Sequence, residues 1–165
     1  QKGLDIEPEN TKLLFRLGVV YDKSNRKSEC IDQMKTVIRL EPENASALNY
    51  LGYTYADLGQ NLDEAEDLIR RALKYKPDDG YITDSLGWVY FKQGRYDEAL
   101  TLLQRAVSLV PDDPIILEHL GDVYVQVKNK SKALWYYRKA LERKDAQDDT
   151  ADLRKKIDAL SGEGF

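Results

Sequence analysis

Hydrophobic and polar positions along this chain follow a helical period, and one arrangement of them returns every 34 or 35 residues. The pair Leu17-Gly18 reappears as Leu51-Gly52, Leu86-Gly87 and Leu120-Gly121, and a tyrosine stands three residues after each glycine, at Tyr21, Tyr55, Tyr90 and Tyr124. The glycines are 34, 35 and 34 residues apart, and Pro8, Pro42, Pro77 and Pro111 keep the same intervals. The one extra residue falls in a turn, where GQNLDEA in the second block replaces GRYDEA in the third. Two independent markers with one period identify a repeat, and units this short must stack to bury their apolar sides.

Each block predicts two antiparallel helices. Asn10, Asn44, Asp79 and Asp113 stand where the first helix begins, and each side chain can accept from an unpaired N–H of the first turn, contributing about 1 kcal/mol. Pro114 takes the first helical position, where a missing donor costs nothing. The first helices then start at Thr11, Ala45, Gly80 and Pro114. Turns near Ser24 to Lys27, Gly59 to Asn61, Gly94 to Arg95 and Lys128 to Asn129 release the second helices. Small or modest side chains recur there, at Cys30, Ala65, Ala99 and Ala133, and two turns later at Val37, Ala72, Ala106 and Ala140. A glycine inside a helix costs about 1 kcal/mol relative to alanine. Its return in register predicts a neighbouring helix too close for a Cβ, with the following tyrosine ring packed over the gap.

The two ends differ. GLDIEPEN matches the tail of a block, Ile6 and Pro8 lying 34 residues before Leu40 and Pro42, so residues 1–10 read as the end of a preceding unit of a longer array. DTADLRKKIDAL places Leu153, Ile157 and Leu160 on one helical face with Lys155, Lys156 and Asp158 off it, as expected of a helix that caps the last repeat. Trp135 and Tyr136 are expected to pack in that closure.

The Leu-Gly-x-x-Tyr core, the following alanines and the closing prolines resemble the tetratricopeptide repeat. Four units match, at 11–44, 45–79, 80–113 and 114–147, with a capping helix and tail over 148–165. The resemblance implies an all-α fold, a right-handed α-α superhelix of four helix-turn-helix repeats. Departures are few. The tryptophan slot holds Leu14, Leu48, Thr83 and Leu117, Cys30 replaces alanine, and the fourth unit lacks its proline. A 35-residue helical repeat that reads RNA base by base is the nearest confusable family, but two of the three intervals and the acidic balance point away from it. Residues 48–100 are also similar in style to bacterial extracytoplasmic arrays, including outer-membrane lipoproteins that act as adaptors for periplasmic carboxyl-terminal processing proteases.

Charge and chemistry narrow the function. A net charge of −4 argues against nucleic acid as a partner, since phosphate affinity needs clustered Lys and Arg. No apolar run is long enough to span a bilayer, so no membrane insertion by this segment is expected. The single cysteine excludes an internal disulfide and leaves cytoplasm and periplasm both open. His119 is the sole histidine and Cys30 lies in another repeat; there is no CxxC, no HExxH and no glycine-rich phosphate loop. Catalysis, cofactor and metal are accordingly not expected, and Glu118, His119 and Asp122 are the nearest approach to a cation site.

Positions alike in all repeats build the stack, so partner-specific information belongs where the repeats differ. A stripe beside the Leu-Gly face does differ, from Lys12, Phe15 and Arg16 through Ser46, Asn49, Tyr50 and Tyr53 to Tyr81, Asp84 and Trp88, then Glu118, His119 and Asp122. The family resemblance implies that this face lines a concave groove. Cations at its start, aromatics in its middle and acids at its end suit a peptide or protein segment, with rings as anchors and charges fixing direction. Packing between repeats is the competing role for the rings. Lys12, Arg16 and Asn49 are also the residue types of the clamp that holds chaperone C-termini, but Tyr81 and Ser85 stand where that clamp supplies further cations. The resulting expectation is a non-catalytic scaffold or adaptor, with a self-associating module or the interaction arm of a larger enzyme as alternatives.

Overall fold

A computed structural model of the chain describes residues 10–145 and 149–162. Residues 1–9 of the expected 1–10 tail of a preceding repeat, residues 146–148 before the last helix and residues 163–165 of the expected C-terminal tail lie outside the described residues. Among those described, every regular element is an α-helix: α1 (Thr11–Lys23), α2 (Lys27–Leu40), α3 (Ala45–Leu58), α4 (Leu62–Tyr75), α5 (Gly80–Lys92), α6 (Tyr96–Leu109), α7 (Pro114–Gln126), α8 (Lys130–Arg143) and α9 (Ala151–Gly162). They form two compact units, one up to Pro77 holding α1 to α4 and one from Asp78 onward holding α5 to α9. Within each unit consecutive helices pack on one another, and partners in a hairpin share the most extensive contact.

The starts follow from capping. Asn10 and Asn44 accept from the N–H groups of Leu13 and Ala47, at 3.1 and 3.0 Å. Asp79 and Asp113 each accept two, from Tyr81 and Ile82 and from Ile115 and Ile116. The turns share one closure, in which the N–H of Arg26, Gln60, Arg95 or Asn129 donates to the carbonyl of Tyr21, Tyr55, Tyr90 or Tyr124 at 2.8 to 2.9 Å. That closure needs one left-handed residue before it. Asn25, Gly59, Gly94 and Lys128 supply it, each with φ between 58° and 78°.

The recurring glycines sit where the second helix of the hairpin presses in. A Cβ on Gly18 would come within 2.6 Å of Met34 Cε, and one on Gly87 within 2.8 Å of Leu103 Cγ. Gly52 faces Ile69 and Gly121 faces Tyr137 in the same way. The close approach is as expected, and the atom nearest each built Cβ belongs to a side chain of the partner helix. Around these contacts Cys30, Ala65, Ala99 and Ala133 and then Val37, Ala72, Ala106 and Ala140 are fully buried, so small residues set the hairpin spacing. Cys30 is a free thiol whose acidity burial lowers further, pushing its pKa up.

Beneath α9, Leu153 is buried while Ile157 and Leu160 are half-buried. Tyr136 stacks on Tyr124, with centroids 5.4 Å apart. Trp135 departs from expectation. It lies 55% exposed on the side of α8 opposite Ala133, Tyr137 and Ala140, outside the closure.

Candidate peptide-binding face

The variable stripe is shared between the two units, and its two parts have different characters. In the first unit, Lys12 and Arg16 are exposed on α1, while Phe15 and, on α3, Asn49, Tyr50 and Tyr53 are half-buried. Phe15 meets Tyr50 edge to face, centroids 5.7 Å apart and planes at 78°. The Tyr50 hydroxyl donates to Asp22 at 2.8 Å; burial and that bond push its pKa up, so the ring is held as a neutral phenol. Asp22 also takes the Lys27 ammonium at 2.6 Å, which raises the lysine pKa. Beside this braced pair opens a recess of about 250 Å³, lined by Thr11, Lys12, Phe15, Arg16, Asn44 and Ser46. Neither Lys12 nor Arg16 lies within ion-pair distance of a carboxylate among the described residues. Asn49 Oδ1 is buried and has no hydrogen-bond partner among the described residues. The arrangement offers two exposed cations and an aromatic edge at one open surface, which suits a carboxylate-bearing segment.

In the second unit the stripe turns inward. Tyr81 is exposed, but Asp84, Trp88 and His119 are 5%, 9% and 6% exposed. His119 Nδ1 lies 3.0 and 3.1 Å from the two carboxylate oxygens of Asp84. Burial works against a charged imidazole, but Asp84, with Asp122 and Glu118 behind it, outweighs that and raises the His119 pKa. Trp88 is sandwiched between His119 at 4.1 Å and Phe91 at 4.8 Å, both nearly parallel to it.

The two remaining acids are taken by the cap. Lys156 of α9 sits 3.0 Å from Glu118 and 2.7 Å from Asp122; Tyr137 donates to Asp122 at 2.6 Å, and Lys144 lies 3.6 Å from Glu118. Burial opposes the charge on Lys156, yet the two carboxylates prevail and raise its pKa. The place a cation would take between Glu118 and Asp122 is thus filled by an ammonium group, and no group of three metal-ligating residues occurs among the described residues. The part Lys156 plays at this face escaped the sequence reading. Lys156 is 38 residues from Glu118 and 34 from Asp122, one repeat period away, and that offset was the available signal.

These hairpins define a class of helical-repeat proteins built for binding. Tetratricopeptide-repeat models match residues 15–80, 87–128 and 116–147, and the chain belongs to the tetratricopeptide-repeat family. It is 42% identical over 95 residues, 58% of its length, to TPR repeat-containing protein PA4667 of Pseudomonas aeruginosa, of which it covers 16%. With mouse sperm-associated antigen 1 it shares 33% identity over 58 residues, 35% of the chain and 6% of that protein. The chain therefore spans a small part of these relatives. Among solved structures, TTC0263, a thermophilic TPR protein of Thermus thermophilus, matches with a TM-score of 0.81 at 24% identity, covering 97% of this chain and 86% of that one. MamA matches with a TM-score of 0.68 at 25% identity, covering 86% and 82%. The all-α tetratricopeptide solenoid is the fold class, and proteins of this family typically act as non-catalytic scaffolds for protein–protein interaction. No described helix is long and apolar enough to cross a membrane.

Proposed function

We propose that this chain is a non-catalytic adaptor that binds a peptide or protein segment against the faces of its first helices, in the groove such arrays present. The observation that carries the reading is the recess beside Lys12, Phe15 and Arg16, where exposed cations adjoin an aromatic edge held in place by Tyr50 and Asp22. Acids at the far end of the stripe are engaged by His119 and Lys156, so the guest's anchoring charge is assigned to the first unit and is negative. Half-buried Tyr53 adds contact beside the recess within the first unit, whereas in the second unit Tyr81 is exposed and Asp84, Trp88 and His119 are buried.

Lys12→Glu with Arg16→Glu tests this without disturbing packing, because both side chains are exposed. Peptide-array binding by the intact chain should select segments bearing a carboxylate near an apolar residue, and the charge-reversed pair should weaken them by at least about tenfold. Equal binding by a folded variant sinks the proposal. Selection of no peptide, with self-association instead, favours an assembly module.

A further inference from the structure

A second surface lies on α8, away from the stripe. From Lys128 to Lys144 the sequence carries seven Lys or Arg and a single acid, Glu142, in a chain whose net charge is −4. Arg143 and Lys144 are engaged by Asp112 and Glu118. Lys132 lies over the Tyr124 ring, Lys139 over that of Trp135, and Arg138 has no carboxylate within ion-pair distance among the described residues. At the centre of this basic face stands Trp135, on an open groove of about 550 Å³ lined by Ser131, Leu134, Trp135, Arg138, Lys139 and Glu142. The equivalent positions two residues after Cys30, Ala65 and Ala99 are Asp32, Asp67 and Thr101, so the fold asks only for a polar residue there. Tryptophan is not needed to build this repeat. Its ring is nonetheless held, edge-on to Tyr136 at 4.7 Å and under the Lys139 ammonium at 5.2 Å, which leaves an ordered aromatic surface ready for contact.

We infer that this face of α8 is a docking site for an acidic segment of a partner protein, with an apolar side chain against Trp135 and carboxylates on Arg138 and Lys139. Charge complementarity selects the sign of the partner. The groove favours a peptide over a lipid surface, because a helix that lies on a membrane needs a wide apolar face and this one offers Trp135 and half-buried Leu134.

The probe is a fluorescently labelled dodecapeptide of glutamates around a central phenylalanine, with a glutamine counterpart, phosphatidylglycerol vesicles and sedimentation of the chain alone as further arms. The glutamate peptide should bind and shift the emission of Trp135, whose exposure distinguishes it from buried Trp88. Affinity should fall by at least about tenfold in Trp135→Ser and in Arg138→Glu with Lys139→Glu. It should also fall as sodium chloride rises from about 50 mM to about 500 mM. These affinities are measured in the Lys12→Glu, Arg16→Glu background, because the first-unit recess is itself proposed to take a carboxylate near an apolar residue, and the Trp135 emission shift should be the same in that background as in the parent, which separates the two sites. Absence of peptide binding, equal binding by the α8 variants with unaltered circular dichroism, binding of vesicles but not peptide, or burial of Trp135 in a concentration-dependent dimer each overturns the proposal.

Discussion

Gly52→Ala is the sharpest test of why the repeat carries a glycine in mid-helix. A Cβ built there lies 2.6 Å from Ile69 Cγ1 and 3.0 Å from the Ala65 carbonyl oxygen. Ile69 is fully buried, and the carbonyl belongs to the backbone of α4, which moves only if the hairpin opens. Overpacking of this kind costs about 1–3 kcal/mol, and two simultaneous contacts, one of them with backbone, place it at the upper end. Alanine recovers about 1 kcal/mol of helix propensity. The net destabilisation is then about 2 kcal/mol, or about 4–8 °C in the unfolding midpoint of a chain this long. Thermal and urea unfolding followed by far-ultraviolet circular dichroism measure it. Ile69→Ala alone should cost about 2–5 kcal/mol, and less in the Gly52→Ala background because the methyl enters the space vacated. A raised midpoint for Gly52→Ala, or strict additivity of the pair, would refute the reasoning.

Two further outcomes follow from other contacts. His119 has a raised folded-state pKa, so its pairing with Asp84 contributes stability that is fully present below the unfolded value of about 6.5 and is lost as pH rises through the folded value. Urea midpoints across that range should decline with pH in the parent and flatten in His119→Gln; parallel profiles would remove the pair from the account. Lys128 occupies the left-handed turn position that Gly59 and Gly94 fill elsewhere, so Lys128→Gly should stabilise by about 0.5–1 kcal/mol in the same unfolding assay, and a lowered midpoint would show that the lysine side chain matters more than its backbone strain.

The hairpins were legible because their signals are local and repeated. Asn44 and Asp113 cap the helices they precede, and the spacing of Gly18, Gly52, Gly87 and Gly121 reports the close approach of partner-helix side chains, joined at Gly52 by the Ala65 carbonyl. The variable face was legible only as a set of residues. Whether a ring faces solvent or the interior depends on what the adjacent repeat presents. Trp88 is covered because His119 of α7 stacks on it, whereas Trp135 meets the edge of Tyr136 on its own helix and stays open. Charge was harder still. Glu118 and Asp122 looked available until Lys156, one period later, came to rest between them. A helical wheel places each residue on a face but does not show which counter-charge arrives there from another helix.

The sealed thiol in the first hairpin has a practical corollary. With Cys30 shut away and reluctant to ionise, a cysteine introduced at an exposed position such as Arg138 or Arg16 will react alone with a maleimide dye. Spectroscopic rulers can thus be attached to either proposed docking surface of the otherwise native chain.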